Sequence, residues 1–196
     1  RSVGSNESWQ VSASNTSSSD QAVTVVVTCL KNSGSTTVIK STSGVVQPDI
    51  EQDITASCPA GTVIAGGGWE TNNPDIFVRQ SAPSANGWVI RVLSATDSAQ
   101  QVTASAVCLS GTNATAETYM EYASISPDKT REINVFCPSG SLITGGGFFH
   151  EFEAYANGPI YTAADETLYG WQGAGKNPAY STNFKIYVYA NCLRFP

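Results

Sequence analysis

The sequence predicts an all-β protein: short antiparallel strands in sandwich- or barrel-like units. Three observations predict it. The segments ending in Cys29, Cys108 and Cys192 alternate inward and outward residues with a period of two, as half-buried strands do. Proline and glycine clusters, Gly-Gly-Gly among them, punctuate the chain between such segments. No window carries the i, i+3, i+4, i+7 apolar spacing of an amphipathic helix bounded by caps.

In chain order, residues 23–29 place Val23, Val25, Val27 and Cys29 on one face of a first strand. Residues 52–58 and 130–137 read as matching strands, with Ile54 and Ala56 answering Ile133 and Val135. Glycine punctuation follows each. Residues 102–108 set Val102, Ala104, Ala106 and Cys108 on one face. In residues 186–192, Ile186, Val188, Ala190 and Cys192 turn inward, while Tyr187 and Tyr189 mark the opposite face as one that something covers.

The strands belong to a repeat. Cys58-Pro59-Ala60-Gly61-Thr62-Val63-Ile64-Ala65-Gly66-Gly67-Gly68-Trp69 recurs as Cys137-Pro138-Ser139-Gly140-Ser141-Leu142-Ile143-Thr144-Gly145-Gly146-Gly147-Phe148. Pro48-Asp49 and Pro127-Asp128 stand ten residues before each copy. Gly87-Trp88 and Gly170-Trp171 follow, leading to Cys108 and Cys192. The second half occurs a third time by itself, from Trp9 to Cys29, with a tryptophan-to-cysteine spacing of 20 against 20 and 21 in the full copies. A fixed period means that one supersecondary unit has been copied. The chain therefore divides into an N-terminal half-repeat (1–30, a Trp-to-Cys hairpin), a first full repeat (31–109) and a second (110–196).

Two disulfide schemes fit five cysteines. Cys58 with Cys108 and Cys137 with Cys192 closes each full repeat on itself and leaves Cys29 unpaired or bonded to another molecule. The rival pairs Cys29 with Cys58 and Cys108 with Cys137, leaving Cys192 over. The first is preferred because it makes each complete unit self-contained. A zinc site is not expected, since no two cysteines lie closer than 29 positions and zinc sites use close pairs. No metal or cofactor is expected.

Composition excludes several classes of partner. With 10 basic against 16 acidic residues and no basic cluster, the chain lacks what a phosphate backbone requires, so nucleic acid is not a partner. No apolar run approaches the roughly 20 residues of a membrane-spanning helix. Charged residues are only 13% of the chain, so Ser, Thr, Asn and Gly must hydrate its surface. A chain that opens on Arg1 without methionine reads as one whose leader has been removed. An extracellular or cell-surface location is the expectation. Asn6, Asn15 and Asn113 stand in N-glycosylation sequons.

Candidate chemistry is sparse. His150 is the only histidine; with Glu151 and Glu153 it suggests a small acid–base or metal cluster, but a strand sets His150 and Glu151 on opposite faces. The simpler reading makes His150 a solvated edge residue in a variable loop, and the chain is not expected to be an enzyme. After each triple glycine, Trp69, Asn72, Asn73 and Asp75 in one repeat and Phe148, His150, Glu151 and Glu153 in the other form two separate candidate sites that set aromatics beside amides and carboxylates, the chemistry that contacts sugars. The competing reading makes Trp69 and Phe148 packing residues, and Trp9, Trp88 and Trp171 core. The triple glycines read as a bulge or crossing where the strand passes under the tryptophan hairpin, because no helix follows to complete a phosphate loop.

The pattern Cys-Pro-x-Gly, Gly-Gly-Gly, Gly-Trp and Ala-x-Cys at residues 45–109 and 121–193 resembles a module of secreted and cell-surface proteins of bacteria, notably actinobacteria. The resemblance implies a disulfide-closed, secreted β-module and brings no catalytic residues. The expected function is a structural or assembly protein that joins copies of itself, or a surface component, by strand addition. The alternative is a carbohydrate-binding module or lectin, with glycans as partners.

Overall fold

The computed structural model describes residues 2–4, 8–11, 18–20, 25, 27–30, 34–151, 153–161, 168–178 and 182–196; for 2–4, 153–161 and 168–169 it describes the backbone alone. The described residues contain no helix. Their strands are β1 (Ser2–Gly4), β2 (Trp9–Val11), β3 (Thr36–Val46), β4 (Glu51–Ser57), β5 (Val63–Thr71), β6 (Ile76–Pro83), β7 (Gly87–Ser94) and β8 (Gln100–Ser110). The series continues with β9 (Thr115–Ile125), β10 (Thr130–Phe136), β11 (Ser141–His150), β12 (Glu153–Tyr161), β13 (Leu168–Lys176) and β14 (Phe184–Arg194).

The full repeats form two sandwiches of the same design. In the first, β5-β8-β3 faces β4-β7-β6; in the second, β11-β14-β9 faces β10-β13-β12. All pairings within these sheets are antiparallel, and none of the sheets closes into a barrel. Alternation builds the cores: Val102, Ala104, Ala106 and Cys108 of β8 are completely buried against Ile54 and Ala56 of β4 and Trp88, Ile90 and Val92 of β7. In the second unit Ile186, Val188, Ala190 and Cys192 of β14 do the same against Ile133 and Val135 of β10 and Trp171 of β13. The cysteines join the layers. Cys58 follows β4 and bonds to Cys108 of β8, while Cys137 follows β10 and bonds to Cys192 of β14, each pair with its Cα atoms 5.7 Å apart. Cys29 is exposed and unpaired.

The triple glycines lie within strands and do not merely punctuate them. β5 and β11 run straight through, bulged between Ile64 and Gly66 and between Ile143 and Gly145. A Cβ on Gly67 would lie 2.2 Å from the Trp88 ring, and one on Gly146 2.3 Å from the Trp171 ring. The strand does pass beneath the tryptophan of the following hairpin. Along the β3–β8 edge, hydroxyls meet in pairs: Thr36 with Ser110 at 3.0 Å, Ser41 with Ser105 at 2.9 Å and Ser43 with Thr103 at 2.9 Å.

One expectation is corrected. Residues 23–29 were read as a strand, but among the described ones neither Val25 nor residues 27–30 belong to any strand, and Val25 and Val27 are half exposed. Val23 lies outside the described residues. The physical reason is the lack of a ladder: the matching strand β8 is flanked by β5 and β3, and no described strand pairs with residues 27–30. Trp9 instead sits in β2, paired to β1.

Replacing Gly67 by alanine should destabilise the protein by about 3 kcal/mol or more, because ring and backbone leave no room for the methyl. Removing Cys58–Cys108 by paired serine substitution should cost about 2–4 kcal/mol. Urea unfolding reads both.

Candidate functional site

The two sandwiches meet edge to edge. β6, the edge of one layer of the first unit, pairs antiparallel with β11, the edge of the opposite layer of the second, at Ser81↔Phe148 and Gln80↔Phe149. The layers fuse into one six-stranded sheet, β4-β7-β6-β11-β14-β9. A ladder of two residue pairs is short, so neighbouring contacts must secure it.

They do so from both faces. Inside, the buried Asn191 amide donates to the Ile64 carbonyl of the first unit at 3.0 Å and to Thr144 Oγ1 at 3.0 Å. The bulges nest: a Cβ on Gly145 would stand 3.0 Å from the Ala65 carbonyl oxygen, and one on Gly147 only 1.9 Å from that of Ser81. Ala65, Leu109 and Leu193 close an apolar cluster here, with Leu30 and Ala116 packed on it. Outside, the Arg91 guanidinium of β7 stands 5.5 Å from the centre of the Phe149 ring of β11, so it spans the joint.

Arg91 is itself held. Its Nε and Nη2 donate to the Asp53 carboxylate at 2.7 and 2.8 Å. That hydrogen bond keeps the Asp53 carboxyl below the usual carboxylate range against the opposing effect of partial burial, and pushes Arg91 up. From Phe149 a row of rings continues to Tyr187 at 5.5 Å and Tyr122 at 5.5 Å, where Lys185 caps it at 5.6 Å. Burial raises the neighbouring Tyr189 hydroxyl, and Tyr187 adds to the shift. The face expected to be covered at Tyr187 and Tyr189 is covered in part by its own rings.

His150 is buried at the end of β11, with Nε2 3.2 Å from the Val78 carbonyl and its ring stacked 5.4 Å from Phe148. This corrects its reading as a solvated edge residue: β6 lies over it. Trp69 packs half-buried against the first core, and its backbone pairs with Ser2. Asn72 and Asp75 are exposed; Asn73 Oδ1 accepts the Asp75 amide at 2.9 Å, closing a turn. Glu151 is exposed and accepts the Lys185 amide at 2.8 Å. Glu153 lies in β12, its side chain outside the described residues. The two sets of sugar-contact candidates begin on strands of different sheets, Trp69 on β5 and Phe148 on β11. Asn113 is exposed between β8 and β9, and Asn6 and Asn15 lie outside the described residues.

No family model matches this chain, and no curated protein does.

The joint is made a second time. β1 pairs with β5 at Ser2↔Trp69, and Trp69 holds in the first unit the place of Phe148 in the second. β1 and β2 align Gly4 with Trp9 as β6 and β7 align Pro83 with Trp88, so Ser2 answers Ser81. The N-terminal hairpin thus sits on β5 as the β6–β7 hairpin sits on β11. Of the residues singled out for chemistry, Phe148 and His150 lie on this joint, but their types did not reveal it; it depends as well on Ser81, Arg91, Gly147 and Asn191. One signal was available: Asn191 replaces Val107 between the repeated Ala and Cys-Leu.

Asn191→Ala should cost about 1–3 kcal/mol by leaving the Ile64 carbonyl and Thr144 hydroxyl short of a partner, and should separate the unfolding of the two units in calorimetry. The lowered Asp53 carboxyl contributes stability that is complete above its unfolded pKa of about 3.9 and lost as pH falls through the folded value. Asp53→Asn should therefore lower the thermal midpoint at pH 7, and the difference from the unsubstituted protein should shrink as the pH is taken down below the usual carboxylate range. Both side chains are 35–48% exposed, which keeps the effect within about 1 kcal/mol.

Proposed function

We propose that this is an extracellular structural protein whose copies associate by joining sheet edges, forming or decorating a filament or cell surface. One observation carries the reading: the fusion of β6 with β11 makes a single sheet from two closed sandwiches. A unit that mates with its own repeat through an exposed edge has the surface needed to mate with another molecule. Support also comes from the two disulfides, which suit an oxidising compartment, and from a surface hydrated by hydroxyls and amides more than by charge. No helix among the described residues is long and apolar enough to cross a membrane.

Sedimentation velocity over a wide concentration range should show oligomers growing with concentration, and negative-stain microscopy should show short linear arrays. A single monomeric boundary at every concentration would overturn the proposal.

A further inference from the structure

Each sandwich has four edge strands, two of which are of the kinds that meet in the internal joint. The β6 type and the β11 type fit each other, as the joint inside the chain demonstrates. The second unit has its own β6-type edge, β12, which follows β6 closely: β12 and β13 align Pro159 with Trp171 as β6 and β7 align Pro83 with Trp88. The register slips between Ala154 and Ala156 where in β6 it slips between Val78 and Gln80. Among the described residues β12 pairs with β13 alone, so its outer edge carries no strand.

The first unit supplies the matching β11-type edge, β5. It has the same bulge and the same three glycines, and Gly68 stands where Gly147 leaves room for the incoming backbone. β5 is anchored on one side by β8, but on its outer edge, among the described residues, it is paired only by three-residue β1, through the single residue pair Ser2↔Trp69. A two-stranded hairpin of three-residue strands is marginal and readily exchanged.

We propose that copies of this chain join head to tail, β12 of one copy adding to β5 of the next in place of the β1–β2 hairpin. This rests on the self-association proposed above and names its surfaces. The repeat dictates the register: Asn157 takes the role of Ser81 and opposes Trp69, and Ala156 takes that of Gln80 and opposes Glu70. The joint between copies is weaker than the one within the chain. Thr71 replaces His150 and Val107 replaces Asn191, so two polar bonds across the internal joint have no counterpart. A second copy is the occupant because its edge repeats, from Ala154 to Pro159, the register and the bulge of one that already fits.

The test combines trapping with exchange. In full-length chains carrying Cys29→Ser, Ala156→Cys protein mixed with Glu70→Cys protein should give a disulfide-linked dimer on mild oxidation, to a much greater extent than either protein separately. In the unsubstituted protein, amide exchange in β12 should slow by about tenfold or more on association. Oligomers without the cross-link and without protection of β12 would overturn this joint while leaving self-association standing. A protein that stays monomeric throughout would overturn both.

Discussion

The contact between a glycine and an indole organises each sandwich. Gly67 and Gly146 lie so close beneath Trp88 and Trp171 that the space of a single methyl is taken by the ring. Because the indole stands on β7 or β13 and the glycine on β5 or β11, the contact sets how one layer lies over the other. The disulfide reaches across the same gap from the end of β4 or β10. Small residues on β8, Ala104 and Ala106, keep the remaining interface shallow enough for both constraints to be met.

Layer placement then decides where the edges fall. Each sandwich offers a β6-type edge from one layer and a β11-type edge from the other, so mating them makes a sheet pass from one layer of a unit to the opposite layer of its neighbour. Asn191, Gly147, His150 and the Arg91–Phe149 contact specialise this joint within the chain. The β1–β5 pairing lacks this set, because Thr71 and Val107 take the places of His150 and Asn191.

Much of this was legible in the residues. Period-two alternation identified β8 and β14, the match of Ile54 and Ala56 with Ile133 and Val135 identified β4 and β10, and matched cysteine positions favoured the two bonds that the structure contains. The glycines were read correctly as a crossing, but their being strand interior was not, since glycine normally weakens strands and packing under an indole is a tertiary effect. The strands β3 and β9 escaped notice because Ser, Thr, Glu and Tyr on an edge give little apolar contrast. Val25 and residues 27–29 failed in the opposite sense: strong alternation with no partner strand among the described residues does not make a ladder. His150 misled because its burial comes from another unit, which no local pattern encodes.

The paired hydroxyls along β3 and β8 have a consequence for how this strand pair responds to salt and pH. Thr36, Ser41 and Ser43 meet Ser110, Ser105 and Thr103 through groups that neither titrate in the ordinary range nor attract counter-ions. An edge aligned by carboxylates and ammonium groups loosens in brine and in acid, because one screens its attraction and the other discharges it. An edge aligned by hydroxyls gives salt and pH no such hold, so these side-chain pairs along β3 and β8 are indifferent to both.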